Sequence, residues 1–299
     1  MPQHHRLARW LMPAAFMLLT ASCGSDSGPR SPTSDPAGNP TPGVTASPTT
    51  VGPPRTDPVP VSATTMTTTA ATTTSEPPSS LPLAGRVFVV DPGHNGQNFA
   101  HPAQINRLVD IGNAEKACNT TGTSTVDGFA EAELNWQVAL RVRGRLEELG
   151  AEVVLTRPDN DGWGPCIDQR AAVGNRVGAA AVVSIHADGG PDEGRGFHVI
   201  HPGLVPGYTD DIVESSLRLA EAMRAAMGAT AMPIADYIAD AGLSERTDLG
   251  GLNLSDVPAV FLEMGNMRNA VDAALLSDPA FQGTVAVAVA NAVVSFLGS

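Results

Sequence analysis

The sequence predicts an α/β domain over residues 83–299, a three-layer αβα arrangement in which a mostly parallel twisted sheet is flanked by helices on both faces. Three observations predict it. Apolar strand-like runs alternate with amphipathic helical stretches along the whole segment. Runs such as Ala180–His186 (AAVVSIH) are almost continuously apolar, which suits a strand covered on both faces. About 215 residues are enough to bury one sizeable core.

The elements follow in order. Arg86–Asp91 (RVFVVD) predicts the first strand. A long polar loop is expected over residues 92–128. In Glu131–Leu149, apolar residues recur at Leu134, Val138, Val142, Leu146 and Leu149, the mark of one buried helical face, and Gly150 is a good stop. Ala151–Thr156 (AEVVLT) predicts a strand and Arg170–Val177 a short helix. Strands are expected at Ala180–His186 and Gly196–His201 (GFHVIH). Thr209 is expected to cap a helix over Asp210–Met227, with Val213, Leu217, Ala220, Met223 and Met227 on one side and Gly228 at its end. Val257–Met264 (VPAVFLEM) predicts a further strand. Asn269 and Asp272 read as a capping box, and Asp278-Pro279 opens the closing helix with proline at its first position. Residues 202–256 otherwise carry few signals, and no repeat of 20 to 50 residues is visible.

The preceding residues differ in material. Arg6 and Arg9 precede an apolar run over residues 11–22 that is too short for an ordinary membrane span. Residues 1–23 therefore read as an export signal. Ala21-Ser22-Cys23 followed by Gly24-Ser25-Asp26 resembles a bacterial lipobox, so lipidation is expected at Cys23. Residues 24–82 are rich in Pro, Thr and Ser and predict a disordered linker, because they bury too little apolar surface to offset the ordering entropy. Cys118 and Cys166 remain as an even pair, and export to an oxidising compartment predicts a disulfide between them. The formal net charge of −13, with no basic patch, argues against nucleic acid as partner.

Polar groups just past apolar strands are the candidates for chemistry. His94 follows the first strand in V-D-P-G-H-N-G-Q, where Gly93 and Gly96 leave room for backbone or a bulky substrate. His186 ends AAVVSIH. Glu263 lies inside VPAVFLEMG, where an unpaired carboxylate is disfavoured by several kcal/mol of desolvation; it needs a partner, a metal or a raised pKa. Two imidazoles and a carboxylate are common ligands of a catalytic zinc, which keeps a fourth position for water. On the residues alone the third ligand is Glu131 or Glu133, and both also suit the positive end of their helix. Asp188 reads as a solvated turn residue. Arg246 and Asn253 are candidates for lining a groove. His101, His198 and His201 read as surface or strand-end histidines, and His4 and His5 fall in the signal.

The strings VVDPGHNG, EAELNWQVAL, VVLTR, SIHAD and PAVFLEMG, in this order from about residue 86 to 297, resemble the zinc-dependent N-acetylmuramoyl-L-alanine amidases of the Amidase_3 type. The resemblance implies a Zn2+ ion bound by His94, Glu131 and His186, with Glu263 as the catalytic acid and base. It selects Glu131 through the Glu-to-Asn spacing that ends at Asn135; the Lys common after that Glu in the family is Ala132 here. The implied reaction is hydrolysis of the amide between N-acetylmuramic acid and L-alanine in peptidoglycan. An exported monomer in the cell envelope or periplasm is expected, held to the membrane by a lipid anchor. With no second wall-binding domain in the sequence, affinity for the wall is expected from the groove or the tether. The alternatives are a zinc carboxypeptidase or deacetylase acting on another wall bond, or a non-catalytic wall-binding lipoprotein on the same fold.

Overall fold

In the computed structural model, which describes residues 81–298, the apolar runs pair into one six-stranded sheet of order β4-β1-β5-β8-β6-β7. The export signal, Cys23 and nearly all of the linker lie outside the described residues. β1 (Val87–Pro92) is central enough to pair in parallel with β4 (Glu152–Leu155) on one side and β5 (Ala181–Asp188) on the other. β5 pairs in parallel with β8 (Ala259–Asn266), while β6 (His198–Pro202) runs antiparallel to β8 and parallel to β7 (Leu243–Arg246). The α/β layering and mostly parallel sheet are those expected.

Alternation along β1 sorts the core into two layers. Phe88 and Val90 point to one face and meet Leu134, Val138, Val142 and Leu146 of α2 (Glu131–Glu148). The same layer holds α4 (Val213–Met227), α6 (Ala270–Ser277) and α7 (Pro279–Leu297). Val89 points to the other face with Val182, Ile200 and Ala259, where α3 (Ile167–Val177) and α5 (Gly250–Asn253) lie. Each such side chain removed from water contributes about 1.5–3 kcal/mol. α7 has a mean hydropathy of 1.7 over 18 residues and is long enough to cross a membrane by length and composition. Its apolar residues are accounted for by the core: Phe281, Val285, Val289 and Val293 pack under α2 and α4.

Local signals and tertiary partners disagree in a few places. The stretch 92–128 is not plain loop: it forms a 3-10 turn (Asn98–Ala100), α1 (Pro102–Ile105) and a hairpin of β2 (Leu108–Asp110) and β3 (Glu115–Ala117). α4 starts at Val213, and Thr209 does not cap it; its hydroxyl donates to Gly203 O (2.9 Å) and accepts from Val205 N (2.7 Å). Leu219, not Leu217, seals the buried face of α4. Asn269 caps α6 by accepting from Val271 N and Asp272 N, but Asp272 does not complete a capping box. Its buried carboxylate instead accepts from Gly196 N (2.6 Å) and pairs with Arg195 (3.1 Å). Asp278 and Pro279 open α7 as expected.

Cys118 and Cys166 form a disulfide. It joins the end of the β2–β3 hairpin to the first turn of α3 and is buried beside Val109.

One buried ion pair ties the carboxyl end of β1 to its surroundings. Arg170 of α3 donates from Nη1 to Asp91 Oδ1 (2.6 Å), Ser184 of β5 donates to Asp91 Oδ2 (2.6 Å), and the Thr156 hydroxyl donates to Oδ1. Burial pushes the Asp91 pKa up, but the Arg170 charge and the two hydroxyls outweigh it and hold the carboxyl at about 2 against an ordinary 3.8. The folded pKa is depressed, so this stability is fully present above about pH 4 and is lost as pH falls through about 2. Asp91→Asn is therefore expected to lose about 3 kcal/mol or more at neutral pH, because Arg170 is left buried and unpaired. The variant should also show a flatter stability profile between pH 4 and pH 2, measured by urea unfolding; an unchanged acid limb would contradict the assignment.

Candidate functional site

The carboxyl ends of the adjacent strands β1, β5 and β8 bring the candidate residues to one place, as is usual for ligand sites in parallel sheets. His94 stands two residues past β1 with φ +59, a backbone conformation that costs a non-glycine residue about 1 kcal/mol. Two buried guanidinium groups hold the turn. Arg170 Nη2 donates to His94 O (2.6 Å), and Arg157 Nε donates to Pro92 O (2.9 Å). With its carbonyls so engaged, the turn aims the His94 ring inward. The room beside Gly93 and Gly96 is not for substrate. A Cβ at Gly93 would lie 2.2 Å from His186 Cε1, and one at Gly96 would lie 2.1 Å from Asn160 O.

Glu131 is the first residue of α2, where the helix amides favour a carboxylate. It is buried, and both its oxygens are used. Oε1 accepts from His186 Nδ1 (3.0 Å), Ala187 N (3.2 Å) and Asn135 Nδ2 (3.2 Å). Oε2 accepts from Thr123 N (2.9 Å) and faces His94 Nε2 (3.1 Å). The Nδ1 of His94 donates to Thr120 O (3.0 Å), which turns Nε2 toward the carboxylate. One ligand atom each from His94, Glu131 and His186 lie within 4.8 Å of one another, and this is the metal-competent cluster among the described residues. His186 is braced by stacking on Phe261, ring centroids 5.0 Å apart.

Electrostatics marks the same place. Burial opposes a protonated His94, but the Glu131 charge and the hydrogen bonds to Glu131 and Thr120 outweigh it and raise its pKa. Burial likewise opposes an ionised Glu131, yet the two histidines hold its pKa well below the ordinary range. Burial lowers the pKa of His186. A carboxylate between two imidazoles thus calls for a cation, which a proton or a divalent metal supplies. Glu263 is directly opposite His186 in the β5–β8 register. The residue borders the cavity, but its Oε2 is sealed from water and has no hydrogen-bond partner among the described residues. Burial raises its pKa well above the ordinary value, and the Glu131 and Asp188 charges add to the shift.

These residues line a cavity of about 400 Å³. Its other wall is charged. Arg246 grips Asp248 with bonds of 2.6 and 2.8 Å, and Lys116 of the hairpin reaches Asp248 across the opening (2.7 Å). Asp188 is not a merely solvated turn residue: it lines the cavity and accepts from the Tyr237 hydroxyl (3.0 Å). Arg246 lines the groove, but Asn253 does not. It is fully buried and donates to Ile111 O (3.1 Å) and Thr247 O (2.9 Å), tying loops together.

Glu133 is turned away from the histidines and accepts from Asn160 Nδ2 (2.8 Å) and Gln137 Nε2 (2.7 Å). His198 and His201 are buried strand residues of β6 rather than surface ones, and His101 stacks on Trp163; none belongs to the cluster. Sequence reasoning missed Arg157 and Arg170, whose role is to hold the His94 turn. The signal available was a strand-ending Asp91 and the arginine that closes VVLTR.

A profile of the Amidase_3 family, described as N-acetylmuramoyl-L-alanine amidase, matches residues 88–295. An N-acetylmuramoyl-L-alanine amidase of Mycobacterium tuberculosis is 40% identical over 218 residues, 73% of this chain and 88% of the relative. Among solved structures, an N-acetylmuramyl-L-alanine amidase from Mycobacterium smegmatis is similar with a TM-score of 0.68 and 41% identity, over 72% of this chain and 98% of that one. The apo form of the corresponding amidase from Mycobacterium abscessus gives a TM-score of 0.68 at 42% identity, over 72% and 100%.

A methyl group at Gly93 would displace the His186 ring. Gly93→Ala is expected to lower divalent-metal affinity about 10- to 100-fold, as loss of ligand positioning does, with the circular dichroism spectrum retained. Metal titration by calorimetry checks it, and wild-type affinity would show that the ring is free to move aside.

Proposed function

Since this chain belongs to the N-acetylmuramoyl-L-alanine amidases of the Amidase_3 family and cleaves the amide between N-acetylmuramic acid and L-alanine in peptidoglycan, we propose that His94, Glu131 and His186 hold its zinc ion and that Glu263 is its general base and acid. The observation that carries this reading is the pairing of that cluster with a carboxylate one strand away that borders the cavity and whose Oε2 has no hydrogen-bond partner among the described residues. The donor set fits: two imidazoles and a carboxylate are a zinc complement that leaves a position open for water. The Thr120 carbonyl fixes which His94 nitrogen remains for a ligand, a common arrangement around metal-bound histidine.

Zinc bound there supplies a Lewis acid that makes water nucleophilic near neutral pH and polarises the scissile carbonyl. The chain's own groups do the rest. Arg170 and Arg157 keep His94 in its turn, and Asn135 and the Ala187 amide keep Glu131 in place. Glu263, through the part of its carboxyl that borders the cavity, takes a proton from the attacking water. As the carbon–nitrogen bond breaks, the same carboxyl gives that proton to the departing amine. The products are a lactyl carboxylate on the sugar and a free L-alanine amino end. The raised pKa of Glu263 suits a group that must hold a proton between these two steps.

The reading extends to the N-terminal residues. Residues 1–23 direct export, Cys23 carries the lipid, and residues 24–82 tether a monomeric catalytic domain, residues 83–299, in the cell envelope. Arg6 and Arg9 before the apolar run, and Ala21-Ser22-Cys23 after it, support this. Fully extended at about 3.1 Å per residue, a linker of this length would span at most on the order of 180 Å.

Digestion of purified muropeptides tests the assignment. Wild-type protein should release new L-alanine amino ends, and chelator should abolish that release. Glu263→Gln should keep its zinc and lose about 10²- to 10⁴-fold in turnover. Full turnover by Glu263→Gln removes that residue from the mechanism, and undiminished turnover without metal removes the zinc.

A further inference from the structure

We propose that His198 is a positioning residue for Glu263: from the neighbouring strand its Nδ1 holds the inner carboxylate oxygen, Oε2, and leaves the other oxygen to serve the reaction. The proposal rests on the amidase reading above and on the part that reading gives Glu263.

The sheet places the two residues side by side. His198 on β6 is directly opposite Glu263 on β8, and Glu263 is in turn opposite His186 on β5. Side chains at directly opposed positions stand on one face of a sheet, with Cβ atoms about 4.5–5.5 Å apart across an antiparallel pair. Strand alternation agrees. His198 shares its parity with Ile200, Glu263 with Phe261 and His186 with Val182, and those three apolar side chains belong to one core layer. His186, Glu263 and His198 therefore form one row, with a candidate metal ligand at one end and an unused imidazole at the other.

That row contains two polar atoms without partners. Glu263 Oε2 and His198 Nδ1 are both sealed from water, and neither has a hydrogen-bond partner among the described residues. An orphan of this kind costs about 1–3 kcal/mol. The charged groups that act on His198 are Asp188 and Arg246, and both are committed elsewhere. Asp188 accepts from Gly189 N (2.7 Å) and from the Tyr237 hydroxyl (3.0 Å). Arg246 grips Asp248 through Nε and Nη2. Glu263 and His198 are left to satisfy each other. Rotation of the two side chains closes the bond, as active-site hydrogen bonds often tighten only with substrate in place.

The chemistry of the ring suits the task. Burial lowers the His198 pKa; the Asp188 charge opposes this, the Arg246 charge adds to it, and the net shift is downward. The imidazole is then neutral near pH 7, and with its proton on Nδ1 it is an uncharged donor. Donation from Nδ1 to Oε2 serves both halves of the reaction without a change of tautomer. Oε2 remains an acceptor throughout, so the proton taken from water resides on the other oxygen, beside the cavity, where the departing amine collects it. Without this bond the carboxyl is free to turn, and the proton settles equally well on the oxygen that the amine does not reach.

The test replaces His198 and follows cleavage of purified muropeptides. Phe fills the space with no nitrogen, Asn keeps an N–H near the place of Nδ1, and Gln carries its amide one bond farther out. His198→Phe should lower kcat about 100-fold, the cost of a misplaced reacting group, with KM and zinc affinity at wild-type values. His198→Asn should recover most of that loss, and His198→Gln should not. In the Glu263→Gln background His198→Phe should bring no further loss, because the two residues act as one unit. Wild-type kcat in His198→Phe, a loss of zinc affinity that matches the loss of kcat, or a full 100-fold loss in the Glu263→Gln background would overturn the proposal. If His198→Phe does not fold, the contrast between Asn and Gln decides: equal rates in those two variants overturn it. Full turnover by Glu263→Gln would instead overturn the role of Glu263, and the proposal with it; a slow Glu263→Gln beside an unimpaired His198→Phe would overturn the positioning alone.

Discussion

The buried ion pair of Asp91 and Arg170 is the constraint on which the rest of the site depends. It sits where β1 ends, and each partner reaches beyond the pair. Asp91 also holds Ser184 of β5 and Thr156 after β4. Arg170 also holds the carbonyls of Pro92, His94 and Gly164. The pair thus joins three strands, the left-handed turn of His94 and the Trp163 loop. Its charge is never solvated, so the aspartate is obligatory: a buried charge deprived of its partner is far worse than no charge at all.

The same logic of enforced partnership runs through the metal cluster. Glu131 is ionised deep in the protein because two imidazoles and two backbone amides meet it. Glu263 is given no such company and is pushed toward its neutral form. Two glutamates a few ångströms from the same histidine therefore have opposite proton affinities, one suited to hold a cation and one suited to carry a proton. Family membership explains why both exist on one chain; their surroundings explain how they differ.

Much of this was legible in the sequence, and the limits have physical causes. β1, α2, β5 and β8 were visible because periodicity and continuous apolar runs are properties of the local string. Glu263 was visible because a charge within such a run is costly wherever the run lies. The choice between Glu131 and Glu133 was not legible in the residues themselves. Both lie in the first turn of α2, and only the tertiary neighbours, His186 for one and Asn160 for the other, distinguish them. Thr209 and Asp272 carried good cap signals but were taken by more distant partners, Gly203 and Arg195. The β2–β3 hairpin has three residues in each strand, too few for alternation to register. Arg157 and Arg170 were given no role, because nothing local tells a solvated arginine from one spanning a core.

The Cys118–Cys166 bond closes the chain on itself, and α2 with Glu131 lies inside that closed ring while His94 and His186 lie outside it. A protease that nicks the exposed stretch around Val126 would leave both fragments covalently joined as long as the bond stays oxidised. A cleaved molecule in an oxidising environment would then keep its three candidate ligands on one connected body, and only a reductant would let the pieces diffuse apart.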